Sequence, residues 1–309
     1  MKIGIIGMSP GNAHPYSWSA IINGRFDADE INRVGYPAVS AYLEANKQTL
    51  GIQGVEVVCV WSQSVGISES IARTTGIEYI ADSFEGMIRG GIDAVILSRD
   101  DAENHVDMAR PFLDAGIPIF IDKPLALTIP ELEYFAGEAA KGKIIMSCSS
   151  MRYANECMVA RQEMASFGKL ELATAVGKKD WNKYGVHLLE ALFSVLDDPR
   201  PVSVRHIGQT GRDIVLVTFE NGFQAVIHLF MNICPTFQLS VFGQAGWKLI
   251  DIRNSYSMFR DNIIEFVRSV QEGKARLPFD KTESILRVLI GANKSKERGG
   301  EEIELGIRI

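Results

Sequence analysis

Three polar side chains at helical spacing mark the stretch of the chain that is best suited to acid–base chemistry. Lys183 and His187 are four residues apart, and Glu190 follows three residues later, so a helix would carry all three on one face. Histidine titrates near neutral pH and can take or give a proton, and an ammonium group nearby stabilises a developing alkoxide. A single histidine near a helix start is also commonly structural, so the spacing alone leaves both interpretations open.

A second candidate group stands at the end of a short apolar run. Residues 117–121 are all apolar, which is typical of a strand buried on both faces. The run stops at Asp122 and Lys123, and Pro124 cannot continue a hydrogen-bonded ladder. Ligands of open parallel sheets bind at the carboxyl ends of the strands, which would put Lys123 at the mouth of a site. The alternative is a solvated lysine at a strand end.

The N-terminus carries an altered dinucleotide fingerprint. A strand at 2–7, a glycine-containing turn and a helical pattern follow one another, which is the context that such a fingerprint requires. Against Gly-x-Gly-x-x-Gly the chain keeps Gly7, while Ser9 and Asn12 occupy the second and third glycine positions. The second glycine normally lets a pyrophosphate approach the backbone. Ser9 therefore alters the standard pose, and Gly11 could restore the space in a rearranged loop.

The second and fourth strands, 55–61 and 93–97, end on further candidate cofactor residues. Ser62 follows the second strand, where NAD-binding members of this fold place an acid that bonds the ribose hydroxyls. No carboxylate there repels a 2′-phosphate and no arginine holds one, so we expect NAD or NADP with a slight lean to NADP. Arg99, after the fourth strand, could touch the cofactor or an anionic substrate. An aspartate from the pair Asp100-Asp101 is expected to cap the helix at 102–115.

Two motifs resemble signatures of the Gfo/Idh/MocA family of nicotinamide-dependent sugar and cyclitol oxidoreductases. Segment 122–126, Asp-Lys-Pro-Leu-Ala, is similar to the family's Glu-Lys-Pro signature. Segment 183–190 resembles Asp-x-Gly-x-His-x-x-Asp, with Lys183 in place of the first aspartate and Glu190 in place of the last. His105 falls on a histidine that the family carries after Thr-Pro-Asn, and Arg152 lies in a segment that resembles the family's Arg–aromatic element.

The resemblance implies an NAD(P)-dependent oxidoreductase that interconverts a hydroxyl and a carbonyl on a sugar-like, cyclitol or sugar-acid substrate. His187 would donate or accept the proton, Lys123 would stabilise the alkoxide, and Lys183 would hold an anionic group of the substrate. Arg152 could also face the substrate, and a structural ion pair is the alternative for it. The implied cofactor contacts are Gly7, Ser9, Gly11, Asn12, Ser62, Arg99, Asp100, His105 and Lys123.

The same departures from the family pattern also fit a second function. A non-redox protein that binds a nucleotide or metabolite could keep this fold without the chemistry. Ser9, Ser62, the Asp100-Asp101 pair and Lys183 favour that alternative. Lys123 and His187 favour the enzyme.

Strand–helix alternation followed by hairpins predicts two domains. Residues 1–149 are expected to form an α/β Rossmann dinucleotide-binding domain, with an insertion of about one helix around 24–54 that is either a lid or a peripheral decoration. Residues 150–309 are expected to form an α+β domain with a mixed, mostly antiparallel open sheet, in which Asn221-Gly222 is a hairpin turn. The C-terminal segment, 301–309, is expected to be a strand or an extended arm, and could pack back on the first domain.

Composition excludes several other classes of protein. The 309 residues carry a net charge of −6, which gives no electrostatic footprint for nucleic acid or an anionic membrane, and no apolar run is long enough for a membrane helix. The histidines lack metal-ligand spacing, so no metal is expected. The four cysteines are widely spaced, and with no signal-peptide pattern they indicate a cytoplasmic protein. An apolar sheet face with Phe219, Val226 and Phe230 predicts a homodimer or homotetramer.

Overall fold

The computed structural model describes residues 1–306 and divides the chain into two compact units. The first unit consists of Met1–Leu125, Glu133–Ser147 and Phe259–Phe279. The second consists of Ala126–Leu132, Cys148–Met258 and the chain from Asp280 onward. The domain boundary at 149 stays a prediction from the sequence.

The first unit is built on a six-stranded sheet whose strands follow the order β3-β2-β1-β4-β5-β6, and every pairing in it is parallel. This is the strand order of a doubly wound Rossmann fold, and the predicted fold class is confirmed. Its strands are β1 (Lys2–Gly7), β2 (Glu56–Ser62), β3 (Tyr79–Ile80), β4 (Ala94–Leu97), β5 (Ile119–Ile121) and β6 (Ile145–Met146). Every residue of β4 and β5 is buried, as expected for central strands covered on both faces.

Helices connect these strands as crossovers. They are α1 (His14–Asn23), α2 (Ala28–Arg33), α3 (Pro37–Ala45), α4 (Val65–Thr75), α5 (Phe84–Arg89), α6 (His105–Asp114) and α7 (Ile129–Ala140). The insertion between α1 and β2 contains two helices instead of the one that the sequence predicts, because the polar run before Pro37 forms α2, with the Asp27 side chain accepting the Glu30 N–H as its cap. The helix expected at 102–115 begins as a 3₁₀ turn, Ala102–Asn104, and α6 follows.

The second unit contains a seven-stranded sheet in the order β12-β11-β7-β10-β9-β8-β13. Only the β7–β10 pairing is parallel among the described residues, so the predicted mixed, mostly antiparallel sheet is confirmed. Its strands are β7 (Leu170–Lys178), β8 (Pro201–His206), β9 (Arg212–Phe219), β10 (Gln224–Phe230), β11 (Phe237–Gly243), β12 (Trp247–Asp251) and β13 (Ile303–Glu304). The remaining helices are α8 (Asn155–Glu163), α9 (Trp181–Val195), α10 (Ser255–Glu272) and α11 (Phe279–Glu297).

Several local predictions for this half of the chain can be checked directly. The hairpin predicted at Asn221-Gly222 forms between β9 and β10, and Gly222 has a positive φ of 80°. The Gly222 N–H donates to the Phe219 carbonyl at 2.8 Å and the Phe219 N–H to the Phe223 carbonyl at 2.9 Å, so the loop has three residues with glycine in the left-handed position. The strand predicted within 301–309 is β13. The last three residues of that predicted segment, 307–309, lie outside the described part of the chain. One expectation is wrong: Phe219 is buried at 1% exposure and packs on Phe193 of α9. It therefore belongs to the helix-covered face of the sheet.

No described helix is both long and apolar enough to cross a membrane.

Candidate active site

The turn after β1 contains a glycine, Gly7, that allows close packing against α1, and a serine, Ser9, that forms hydrogen bonds. A Cβ on Gly7 would lie 2.7 Å from Cγ of Pro15 in α1, so only glycine lets the helix start this close to the strand. Ser9 donates its hydroxyl to a carboxylate oxygen of Asp100, whose own N–H donates to Oγ of Ser9 at 3.1 Å. Gly11 has a φ of +79° and open space where a Cβ would stand. Ser9 and Asp100, predicted separately, are therefore in direct contact.

Asn12 leads to a cluster around the acid of the strand-end motif. Asn12 Nδ2 donates to Oδ2 of Asp122 at 2.8 Å, and Nδ1 of His14 lies 2.6 Å from the same oxygen. The N–H of Lys123 donates to the other oxygen at 2.8 Å. Burial raises the pKa of the Asp122 carboxyl, but the charges of His14 and Lys123 and the hydrogen bonds outweigh it, so the pKa lies below its ordinary value. Asp122 is thus an ionised anchor that joins the turn at residues 12–14 to the chain that follows β5.

Lys123 is the lysine of the same motif, and it belongs to the first unit. It stands two residues beyond the last residue of β5, at the carboxyl edge of the parallel sheet, and 9% of its surface is exposed. This edge is where open α/β sheets bind ligands. The position fits the predicted role at the mouth of a site.

The ends of β2 and β4 are joined by side chains. Gln63 accepts the Met8 N–H at 3.2 Å, donates to the Met8 carbonyl at 2.6 Å, and also accepts from Nη1 of Arg99 at 2.8 Å. The remaining guanidinium nitrogens of Arg99 pair with Asp101. Asp101 therefore makes an ion pair instead of the expected backbone cap, and no side-chain cap hydrogen bond forms at Ala102–Asn104.

Two further predicted cofactor residues, Ser62 and His105, form hydrogen bonds with other groups of the protein. The Ser62 hydroxyl bonds the Ser64 carbonyl and the Ser68 hydroxyl, both at 2.7 Å. His105 is completely buried, with its ring nitrogens 2.9 and 3.0 Å from the carbonyl oxygens of Arg99 and Leu125. A direct cofactor contact through His105 is not supported, because the ring is enclosed and supports the loop after β4.

The carboxyl edge of the first unit fits a dinucleotide in most respects. The N-cap of α1, Ala13, makes no side-chain cap hydrogen bond, although Asn12 Oδ1 accepts the N–H of His14 at 2.9 Å. Helix N-termini favour anions, and Gly11 has open space where a Cβ would stand. The glycine turn, α1 and the end of β2 are the parts that hold the pyrophosphate and the adenosine ribose in Rossmann folds. The departure is Asp100, whose carboxylate lies on Ser9 at the second fingerprint position.

In the second unit, His187 lies on α9 and bonds to a serine of a preceding turn. Its Nδ1 is 2.6 Å from Oγ of Ser149, which directly precedes the 3₁₀ turn Ser150–Tyr153. The ring makes edge contacts with Tyr184 and Phe237, at centroid distances of 5.1 and 6.0 Å. Lys179 contacts the Tyr184 hydroxyl and lies 4.2 Å from the centroid of its ring. An imidazole, a phenol and an ammonium group are therefore grouped at the start of α9.

Lys183 is exposed on the first turn of α9, and its N–H donates to the Asp180 carboxylate at 3.0 Å. Asp180 is thus the N-cap of the helix. The carboxylate that the family places at position 183 is absent, and Asp180 is engaged with the backbone. His187, one turn later, is half-buried, and Glu190 is fully buried.

Arg152 lies in the interior of the second unit. Its Nε donates to Glu190 at 2.5 Å and its Nη2 to Asp198 at 2.8 Å, and Lys281 pairs with Asp198 at 2.7 Å. Burial raises the pKa of the Glu190 carboxyl to about 7, although the charge of Arg152 opposes the shift. The guanidinium is 5% exposed and occupied by two carboxylates, which supports the structural alternative and gives no support to a substrate contact.

His14 and Ser149 are the two residues that the sequence analysis missed. Each of them forms a hydrogen bond with a residue that is far away along the chain, and neither belongs to a local spacing pattern. Within residues 1–306, no group of three or more His, Cys, Asp or Glu side chains could hold a metal ion.

The N-terminal part of the chain matches a family model. Residues 1–149 match the family model for an oxidoreductase family with an NAD-binding Rossmann fold, Gfo/Idh/MocA. The scyllo-inositol 2-dehydrogenase (NAD(+)) of Bacillus subtilis (strain 168) is 31% identical over 112 residues, which is 36% of this chain and 32% of the relative. The inositol 2-dehydrogenase 1 of Saccharopolyspora erythraea is 33% identical over 107 residues, 34% of this chain and 32% of the relative. The matched segment thus spans about a third of each curated relative.

Solved structures extend the likeness in fold to nearly the whole chain. A probable dehydrogenase from Thermotoga maritima has a TM-score of 0.77 at 13% identity, with 99% of each chain covered. The scyllo-inositol dehydrogenase from Lactobacillus casei, solved with NAD(H) and scyllo-inositol, has a TM-score of 0.76 at 14% identity, with 98% of each chain covered. These structural matches show the fold alone, and the sequence match is to the family model: residues 1–149 match the Gfo/Idh/MocA oxidoreductase family, and the first unit has the strand order of a Rossmann fold.

Proposed function

We propose that the protein is an NAD(P)-dependent oxidoreductase that interconverts a hydroxyl and a carbonyl on a cyclitol, sugar-like or sugar-acid substrate. The observation that carries the proposal is Lys123 at the carboxyl end of β5, within residues 1–149, which match the model of an oxidoreductase family with an NAD-binding Rossmann fold. The names of the two curated relatives, both inositol 2-dehydrogenases, support a cyclitol as the first substrate to try.

The chain's own residues would divide the work as follows. Nicotinamide, when bound, supplies the hydride acceptor or donor. His187 donates or accepts the proton of the substrate oxygen, and the Lys123 ammonium stabilises negative charge on that oxygen. Lys183, which reverses the charge of the family's aspartate, binds an anionic group of the substrate. Ser9, Gly11 and the start of α1 hold the pyrophosphate.

The choice between NAD and NADP is a finer part of this proposal. The absence of a carboxylate at the end of β2 is the argument for a slight lean to NADP. The family description and the name of the B. subtilis relative both specify NAD and give this lean no support. We therefore propose that both dinucleotides be tested at equal concentration.

We further propose that the protein assembles as a homodimer or homotetramer through the sheet of the second unit. Leu172, Phe242, Trp247 and Leu249 are all at least 39% exposed, and they occupy neighbouring strands β7, β11 and β12. We call these four residues the exposed sheet patch. Exposed apolar groups of this kind are typical of subunit contacts. A cytoplasmic location stays a prediction from the cysteine pattern.

One observation favours the second candidate, a non-redox protein that binds a nucleotide or metabolite. The Asp100 carboxylate lies on Ser9 at the fingerprint position that normally admits the pyrophosphate. A negative group there opposes the binding of a negative cofactor.

A turnover assay separates the two candidates. The purified protein is incubated with NAD⁺ or NADP⁺ and with myo-inositol, scyllo-inositol or a sugar acid, and the reduced nicotinamide is followed by absorbance. The proposal expects reduction with at least one of these substrates, and loss of the signal in His187→Ala. Turnover that is unchanged in His187→Ala would contradict the assigned role, and cofactor binding without any turnover across the panel would favour the non-redox candidate.

A further inference from the structure

The hydrogen bond between Ser149 and His187 has a defined direction. Ser149 is completely buried, and its Oγ lies 2.6 Å from Nδ1 of His187. A serine hydroxyl has one proton to donate and two lone pairs that accept. The N–H of Met151 donates to this oxygen at 3.2 Å, so one lone pair is already in use.

The hydroxyl proton has a single acceptor among the contacts of residues 1–306, and that acceptor is Nδ1 of His187. If Nδ1 carried a proton and donated it to Oγ, the buried hydroxyl proton would have no acceptor, which is destabilising. The opposite arrangement, in which Ser149 donates to Nδ1, satisfies every group. In a neutral ring the proton then lies on Nε2, because the imidazole holds one proton on its two nitrogens.

The turn that carries Ser149 is fixed against α9 by charged contacts. The backbone N–H of Ser149 helps to lower the pKa of the Glu190 carboxyl, which lies one turn after His187. Arg152, three residues after Ser149, donates its own N–H to the Ser149 carbonyl at 3.1 Å and holds Glu190 and Asp198 through its guanidinium. Ser149 is thus joined through Arg152 to the helix that carries the histidine.

We infer that Ser149 is a positioning residue that sets the tautomer of His187 and leaves the proton on Nε2. This rests on the proposed function, in which the neutral ring with a proton on Nε2 can donate a hydrogen bond to the substrate oxygen. A neutral histidine that polarises a carbonyl in this way is an established catalytic pattern. Ser149 orients the ring from a separate turn as a hydrogen-bond donor, a role that an ionised aspartate at position 183 could not take because a carboxylate only accepts.

Nitrogen NMR of the full chain, labelled at histidine, tests the assignment without any turnover. At a pH where the ring is neutral, we expect Nε2 of His187 to be protonated, and Nδ1 to be unprotonated with the shift of an accepted hydrogen bond. In Ser149→Ala we expect that shift to be lost and the Nδ1-protonated tautomer to become detectable. Ser149→Thr, which keeps the hydroxyl, is the matched control and should retain the wild-type pattern.

Two results would overturn the inference: a proton on Nδ1 in the wild-type ring, or Ser149→Ala spectra with both ring nitrogens unchanged. The wild-type spectrum alone decides the case if the alanine variant does not fold. A chain with this tautomer but without oxidoreductase turnover would contradict the proposed function and leave the assignment of Ser149 intact.

Discussion

Nδ1 of His14 and Oδ2 of Asp122 lie 2.6 Å apart and join the start of α1 to the end of β5. The ring of His14 also stacks on Trp18 at a centroid distance of 4.2 Å and an interplanar angle of 12°. The acid of the strand-end motif is therefore turned toward the glycine turn, where Asn12 bonds the same oxygen. Lys123, the next residue, stays the member of the motif that we propose to act on the substrate.

The first prediction concerns acid sensitivity. A carboxyl whose folded pKa lies below its ordinary value contributes stability above an unfolded pKa of about 4, and loses it as the pH falls toward the folded pKa. Because the pKa of Asp122 is lowered, the wild-type protein should have a higher Tm than Asp122→Asn at neutral pH. The difference should correspond to a free energy of unfolding of roughly 1–3 kcal/mol, the size of a hydrogen bond to a charged group. The Tm difference should shrink on acidification through about pH 4. A difference that stays constant or grows would contradict the ionised anchor.

The second prediction concerns Arg152. Arg152→Ala leaves the buried Glu190 without its cation and leaves Asp198 with Lys281 alone, which should cost about 3–5 kcal/mol and lower Tm strongly. Arg161→Ala is the matched control, because it removes an exposed ion pair with Asp197 that is worth about 0–1 kcal/mol. If Arg152→Ala kept the wild-type Tm and only raised the KM for substrate, Arg152 would be a substrate contact after all.

A third prediction separates two residues of α9 by their kinetics. If Lys183 holds a substrate anion, Lys183→Ala should raise KM by the equivalent of roughly 1.5–3 kcal/mol, with less effect on kcat. His187→Ala should lower kcat by about 10²–10⁴-fold at similar cofactor affinity. Steady-state kinetics on the first active substrate give both numbers. If both variants lowered kcat equally and left KM unchanged, Lys183 would not be a binding residue for a substrate anion.

The fourth prediction concerns assembly. Substituting Trp247→Lys and Leu249→Lys together places charge in the exposed sheet patch, and should convert a dimer or tetramer to smaller species in light scattering. Met158→Lys and Val159→Lys together are the control, because those side chains are similarly exposed on α8 and lie outside the patch. Wild type that is monomeric at micromolar concentration would refute the assembly.

Most strands and helices could be predicted from the regular periodicity of their apolar residues. The elements that were not predicted, such as β8 and α8, have weak or polar patterns. Strands β4 and β5 are wholly apolar, so their place in a parallel sheet could be inferred. Strand β8 was not predicted, because its buried positions include Ser203 and His206, which do not resemble core residues. Helix α8 was missed because only Cys157 and Ala160 of its nine residues are buried.

The candidate site was predictable only where residue type and local spacing carry the signal. Lys123 and His187 stand in short motifs, so the sequence identified them. His14 matters through Asp122, 108 residues away, and Ser149 matters through His187, 38 residues away. Such contacts depend on tertiary packing, and one sequence alone contains no local pattern that reveals them.

A fluorescence titration of the full chain with NADH and with NADPH measures whether the first unit binds a nicotinamide dinucleotide. Our account predicts saturable binding of at least one of them with a Kd in the micromolar range, worth about 8 kcal/mol at 1 μM. It also predicts that Asp100→Asn tightens binding, because the variant removes a negative charge from the pyrophosphate loop. No binding of either dinucleotide at about 1 mM, where the binding energy would be under about 4 kcal/mol, in wild type and in Asp100→Asn alike, would contradict the account.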